Sequence, residues 1–109
     1  MTLNEYQENA ATTSLMQDNQ KLFVYTALGL NGEAGEIAEK VKKVLRDHDG
    51  DMSKLDTADI TKELGDVLWY LAMFAKSIGV TLDDVATINV EKLASRAARG
   101  KIHGSGDNR

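Results

Sequence analysis

Three observations predict an all-α fold that resembles a four-helix bundle. Proline is absent from all 109 residues, and the alternating β-branched runs that are typical of strands are missing too. Apolar residues instead recur every three or four positions, as they do on one face of a helix. Residues that cap helices precede several of these segments. The length fits one domain, which we place at residues 1–99, followed by a flexible glycine-rich tail at 100–109.

The first two helices are predicted from a cap and from an apolar stripe. Thr2 and Glu5 form a capping box, because the hydroxyl and the carboxylate can each accept a helix-start amide. This helix is short, and its pattern fades around residues 17–20. A second helix is predicted over about 21–46 and ends in the sequence DHDGD. Its stripe contains Leu30, Ala34, Ile37, Val41, Val44 and Leu45.

The third and fourth helices are marked by caps and by a stop. Asp56 or Thr57 can cap the third helix, and Gly79 can end it, since glycine adopts the left-handed conformation easily. Thr81 with Asp84 opens the fourth helix. The apolar stripe of the third helix contains Ile60, Leu64, Val67, Leu71, Phe74 and Ile78. That of the fourth contains Leu82, Val85, Ile88 and Leu93.

Composition excludes several classes of function. The net charge of −4 gives no reason to expect a nucleic-acid partner, and the absence of cysteine excludes disulfides and thiolate metal sites. No secretory signal and no run of about 18 apolar residues is present. We therefore expect a soluble cytoplasmic protein with no membrane partner. Because so short a chain covers its own apolar faces poorly, we also expect a homodimer or a homotetramer.

Two acidic motifs stand on the long helices. The stretch GEAGEIAEK places Glu33 and Glu36 three residues apart, and ELGDVLWYL does the same for Glu63 and Asp66. Side chains three and four apart share a helix face. Each acidic pair lies on the same side of its apolar stripe, so antiparallel packing of the two helices would bring four carboxylates together. A solvated helix face can have the same spacing, and that alternative stays open.

Converging carboxylates indicate a metal site, because they repel one another unless a cation lies between them. An oxygen-only site suits Mg²⁺, with Mn²⁺ as a substitute. Lys40 and Lys43 follow the first motif and are expected to bind a polyphosphate. Gly35 and Gly65 lie within the motifs, where the lack of a side chain would let another helix or a phosphate approach closely.

The two motifs with their flanks, GEAGEIAEKVKK and ELGDVLWYLAMFA, resemble the MazG-like nucleoside triphosphate pyrophosphohydrolases of the all-α NTP pyrophosphatase superfamily. The family signature is E-x-x-E, a variable gap and E-x-x-D. It falls here on Glu33, Glu36, Glu63 and Asp66, with a gap of 26 residues. The resemblance implies that a (d)NTP is cleaved between its α- and β-phosphates, giving a monophosphate and pyrophosphate, in the house-cleaning of nucleotide pools. It also implies that the four acids hold Mg²⁺. We hypothesise that Glu36 or Glu63 also orients or deprotonates the attacking water.

Further residues are predicted to bind the substrate. Tyr70 lies one turn after the second motif and is expected to line the pocket. The segment NVEKLASR resembles the family's final helix, which supports a phosphate-facing ridge; it contains Asn89, Lys92 and Arg96. Gln7, with its neighbour Tyr6, is expected to help enclose the base. A plain exposed helix face remains an alternative for the ridge on the final helix.

Two other functions stay open. A related enzyme specific for dUTP or phosphoribosyl-ATP would keep the same four acids. A helical oligomerisation module without enzymatic activity would carry them as solvated charges. The E-x-x-H pairs of di-iron bundles are absent, as is a glycine-rich phosphate loop, so phosphate binding would depend on metal.

Overall fold

The computed structural model describes residues 1–109 and contains helices with no strand. The four α-helices are α1 (Leu3–Ala11), α2 (Asn19–His48), α3 (Thr57–Ser77) and α4 (Leu82–Ala98), and a short 3₁₀-helix spans Met52–Lys54. This confirms the all-α prediction. No helix is both long enough and apolar enough to cross a bilayer.

The helices begin at the predicted caps. The Thr2 hydroxyl accepts the Glu5 amide at 3.1 Å, and the Glu5 carboxylate accepts the Thr2 amide at 2.8 Å, which completes the capping box. Asp56, one of the two candidates, caps α3 by accepting the Asp59 amide at 3.0 Å. Thr81 caps α4. The sequence therefore locates three of the four helix starts through the side chains that satisfy their free amides.

Left-handed residues end two of the helices. Asp49 follows α2 with φ 53°, and Gly79 lies just beyond α3 with φ 76°. Gly79 was predicted as this stop because glycine adopts the left-handed conformation without a Cβ clash. The turn that it makes directs the chain back so that α4 begins beside α1.

The helices α2 and α3 form an antiparallel hairpin, which is the largest interface of the chain, and α1 packs against α3 and α4. The small buried core lies where α1 and the starts of α2 and α4 meet the end of α3. Its members are Ala10, Leu22, Ala72, Met73, Ala75 and Leu82. The predicted stripes of α2 and α3 are only partly covered; Leu45 and Leu64, for example, are 65% and 53% exposed.

The arrangement is open for a chain of this size. The radius of gyration is 16.8 Å, compared with about 13 Å for a compact domain of this length. Large apolar side chains on α2 and α4 remain exposed, among them Leu28, Ile88 and Val90. A single copy therefore leaves much of its apolar surface in contact with water.

Gly29 is the glycine at which α2 and α3 approach each other most closely. A Cβ at this position would overlap Cε1 of Tyr70, far inside van der Waals contact. We expect Gly29→Ala to displace the Tyr70 ring and lower the free energy of unfolding by about 1–3 kcal/mol, as measured by urea denaturation.

Gly32, one turn along α2, provides the matched control. No atom lies within 4 Å of a Cβ built at Gly32, so Gly32→Ala is expected to stabilise the helix by about 1 kcal/mol. Equal effects of the two substitutions would contradict the close approach of Tyr70 to Gly29.

Candidate metal centre

Three of the four predicted acids converge between α2 and α3. Carboxylate oxygens of Glu33, Glu63 and Asp66 lie within 4.8 Å of one another. Glu33 projects from α2, while Glu63 and Asp66 stand one turn apart on α3, so the antiparallel hairpin creates the cluster. Glu33 and Glu63 are half-buried, and Asp66 is exposed. We call these three side chains the acidic cluster.

The acidic cluster is electrostatically crowded. Loss of solvent raises the pKa of Glu33, and the negative charges of Asp66, Glu63 and Glu36 raise it further. A divalent cation among the three carboxylates would remove this repulsion. A site of carboxylate oxygens with no nitrogen or sulfur ligand fits Mg²⁺ or Mn²⁺.

Glu36 does not join the cluster. It is exposed on α2 one turn after Glu33, and its charge is near enough to raise the pKa of Glu33. It makes no hydrogen bond or ion pair within the chain, so its carboxylate is accessible at the edge of the acidic cluster.

Lys40 is held by two carboxylates on α3. Its ammonium lies 2.5 Å from Asp59 and 2.5 Å from Glu63, and hydrogen bonds to both raise the pKa of the lysine. Lys40, which was predicted to bind the substrate, therefore neutralises part of the negative charge of Asp59 and Glu63. Sequence reasoning missed Asp59, although it precedes Glu63 by four residues and so shares its helix face.

Lys43, the second predicted lysine, lies away from the acidic cluster. It is exposed, and its ammonium is 4.0 Å from the carboxylate of Glu39 on the same helix. This is an ordinary surface ion pair, which contributes little to stability.

Tyr70 lies one turn after Asp66, near enough for the charges of Glu33 and Asp66 to act on its hydroxyl. Its hydroxyl is 3.4 Å from that of Tyr25. This hydrogen bond and loss of solvent, followed by smaller effects of the charges of Glu33 and Asp66, raise the pKa of Tyr70 to about 12. The phenol therefore stays protonated near neutral pH and can donate a hydrogen bond.

The predicted ridge on α4 contacts the C-terminal segment. Lys92 lies 3.2 Å from the carboxylate of Asp107, and buried Arg96 donates to the carbonyl oxygen of Asp107 at 2.8 Å. The Nε of Arg96 has no partner. Asn89 is exposed. Within the C-terminal segment, therefore, Asp107 lies against both cations of the ridge.

Gln7 is buried in the core rather than beside the acidic cluster. Its amide nitrogen donates to the carbonyl oxygens of Ala72 and Val80 at 3.1 and 3.0 Å, and its oxygen accepts the Leu82 amide at 3.2 Å. These bonds tie α1 to the turn between α3 and α4.

The comparison with protein families gives a match to the MazG nucleotide pyrophosphohydrolase domain over residues 24–100. The match covers most of the chain and includes the whole acidic cluster. The chain belongs to the MazG family. The acidic cluster therefore lies within the part of the chain that matches a nucleotide pyrophosphohydrolase domain, whereas α1 lies outside it.

A phage protein is similar to the chain along its whole length. The chain is similar to the Gene 37 protein of Mycobacterium phage L5, with 46% identity over 114 aligned positions that cover 100% of both chains. No solved structure matches the chain.

Proposed function

We propose that this MazG protein is a Mg²⁺-dependent nucleoside triphosphate pyrophosphohydrolase that cleaves a (d)NTP between its α- and β-phosphates. The products would be a nucleoside monophosphate and pyrophosphate, and the role would be the house-cleaning of nucleotide pools in the cytoplasm. The approach of Glu33, Glu63 and Asp66 to within 4.8 Å is the observation that carries this proposal.

The three carboxylates are suited to hold the metal. Mg²⁺ would supply positive charge to the phosphate oxygens and would make a water molecule easier to deprotonate. Glu33 would contribute a ligand from α2, and Glu63 and Asp66 would contribute ligands from α3, so the substrate phosphates would lie over the α2–α3 hairpin. Tyr70, protonated beside the acidic cluster, would donate a hydrogen bond to a phosphate oxygen.

Glu36 is the better of the two candidates for the base that activates water. The Glu63 carboxylate already accepts a hydrogen bond from the Lys40 ammonium at 2.5 Å, so it is less free to accept a proton from water. Glu36 makes no such contact and stands one turn from Glu33. We therefore assign water activation to Glu36 and metal binding to Glu63.

The substrate site is proposed to be completed in a homodimer or homotetramer. Exposed apolar residues on α2 and α4 support association, because large apolar surface is otherwise rarely left in water. The phosphate-binding roles of Lys43, Asn89, Lys92 and Arg96 belong to this proposal. None of the four lies in the acidic cluster, so a second copy would have to bring them to it.

A panel of nucleotides tests the proposed reaction. We expect pyrophosphate release from canonical or damaged dNTPs with Mg²⁺ and none with EDTA. Turnover confined to dUTP or to phosphoribosyl-ATP would indicate the corresponding specific enzyme. No release from any nucleotide, together with no effect of Mg²⁺ on stability, would indicate a non-enzymatic oligomerisation module and contradict the proposal.

Mg²⁺ is also expected to stabilise the folded protein in the absence of nucleotide. At a hundred times its dissociation constant, a ligand that binds only the folded state adds about 2.7 kcal/mol, which raises the melting temperature by on the order of 10 °C for a chain of this size. Differential scanning fluorimetry with Mg²⁺ and with Na⁺ at equal ionic strength measures the effect. Equal melting temperatures in the two salts would contradict a metal site.

A further inference from the structure

A cavity lies between the α1–α2 connection and the hairpin. It encloses about 340 Å³, a size within the range of small-molecule pockets. Its lining comprises Thr13, Ser14, Leu15, Met16, Tyr25 and Trp69. We call it the aromatic pocket. None of its residues belongs to the acidic cluster, so the metal site leaves the aromatic pocket unexplained.

The aromatic walls of this pocket are held in place. The indole nitrogen of Trp69 donates to the Thr13 hydroxyl at 2.8 Å, and the edge of the indole meets the Tyr70 ring at a centroid distance of 5.1 Å. Tyr25 is fixed from the other side through its hydroxyl contact with Tyr70. Because the rings are already fixed, ligand binding would cost little side-chain entropy.

Tyr70 joins the aromatic pocket to the acidic cluster. Its ring contacts both Tyr25 and Trp69, and the charges of Glu33 and Asp66 act on its hydroxyl. A molecule bound in the aromatic pocket thus lies next to the residue that borders the metal-binding carboxylates. A nucleotide has this pattern of a flat aromatic part joined to an anionic part.

We propose that the aromatic pocket binds the base of the substrate nucleotide by stacking on Tyr25 and Trp69. This inference rests on the proposed function, since it assigns the second half of the same substrate. Every nucleobase has a π-face, and stacking on an aromatic side chain tolerates different bases.

The hydroxyl groups of the pocket favour broad base tolerance. The Thr13 hydroxyl donates to the Ala10 carbonyl oxygen at 2.7 Å and accepts from Trp69, and the Ser14 hydroxyl contacts the Met16 backbone. Their hydrogen bonds are thus directed to the protein. Because strong base discrimination depends on hydrogen bonds to base edges, we expect KM to differ by less than about tenfold among bases.

Trp69 is the only tryptophan of the chain, so its fluorescence reports on the pocket directly. We expect deoxynucleosides, added with EDTA and without phosphate, to quench Trp69 saturably, whereas deoxyribose 5-phosphate does not. Tyr25→Leu should weaken this binding by about tenfold or more. Phe23→Leu provides the control, since Phe23 is similarly exposed on α2 (44% against 47%) but lies outside the pocket.

Kinetics give a second measurement. Trp69→Leu is expected to raise KM for dNTPs by about tenfold to a hundredfold with a much smaller change in kcat, while Trp69→Phe, which keeps an aromatic face, recovers part of the loss. A merely structural role for Trp69 would change stability in both variants and leave KM unchanged.

The outcomes separate this inference from the proposed function. Saturable quenching that depends on Tyr25, without any pyrophosphate release, would support the base site and contradict the proposed pyrophosphohydrolase activity. Full turnover with no nucleoside quenching, or with quenching unaffected in Tyr25→Leu, would overturn the base site and leave the reaction. A shift of Trp69 emission with protein concentration and no response to nucleoside would assign the pocket to contact between copies and overturn the inference.

Discussion

Replacing Asp66 by asparagine is expected to lower kcat by about a thousandfold while the protein remains folded. The amide keeps the shape of the side chain but removes one negative charge from the acidic cluster, and with it a ligand of the proposed metal. Loss of several kcal/mol of metal-assisted charge stabilisation corresponds to this factor. Steady-state pyrophosphate release at saturating Mg²⁺ measures the change.

The same substitution should leave the metal-free protein as stable as the wild type, or slightly more stable. Asp66 forms no ion pair in the chain, and its charge adds to the effect of lost solvent in raising the pKa of Glu33. Removing it relieves repulsion and breaks no favourable contact. In Asp66→Asn, therefore, the melting temperature with EDTA is retained and the stabilisation by Mg²⁺ is lost.

Glu39→Gln is the matched control for Asp66→Asn. Glu39 is an exposed acid of α2 that pairs with Lys42 at 2.8 Å and lies outside the acidic cluster. Both turnover and Mg²⁺ stabilisation should survive in Glu39→Gln. A loss as large as that of Asp66→Asn would mean that general negative charge, and not the acidic cluster, attracts the metal.

Local sequence rules predict the framework of this fold well. The capping box at Thr2 and the stop at Gly79 depend only on neighbouring residues, so their geometry follows from the sequence directly. Helix periodicity also fixes the face of α3 that carries Glu63 and Asp66, whereas the predicted fourth acid, Glu36, lies outside the acidic cluster. Antiparallel packing against α2 then brings Glu33 to Glu63 and Asp66.

Helix capping and helix periodicity do not predict contacts between residues that are distant in sequence. The sequence suggested that Gly35 and Gly65 admit a neighbouring helix or a phosphate. No atom of the chain lies within 4 Å of a Cβ at either, so no helix of this chain packs there, and the approach of a phosphate stays a prediction. Gly29 has that role, because Tyr70 on α3 lies against it. The position of a long aromatic side chain across a helix interface depends on rotamer and tilt, which periodicity does not specify.

The burial of Gln7 was likewise unpredictable from local sequence rules. A glutamine in a short, weakly apolar helix gives no local signal of burial, and only the fold shows that three backbone groups surround it. The expected role in enclosing the base has no support from its position, since donor and acceptor atoms are both used within the core. The aromatic pocket offers a base site that does not involve Gln7.

Gln7→Leu is expected to lower the free energy of unfolding by about 3 kcal/mol. Leucine has a similar size, but it would leave the carbonyl oxygens of Ala72 and Val80 and the amide of Leu82 without their partner. A buried polar group deprived of its hydrogen bond costs about 1–3 kcal/mol, and partial access of water at Val80 reduces the sum. Against a total stability of about 5–15 kcal/mol, urea denaturation should detect the loss readily.

Gln17→Leu tests whether this loss comes from the buried bonds. Gln17 is exposed, and its only side-chain hydrogen bond is to the Ser14 carbonyl oxygen at 3.2 Å, so the same substitution there should cost less than about 0.5 kcal/mol. Equal losses at the two positions would contradict the structural role of Gln7. A raised KM in Gln7→Leu with unchanged stability would instead restore its predicted contact with the base, because a residue that only ties α1 to the α3–α4 turn acts on folding first.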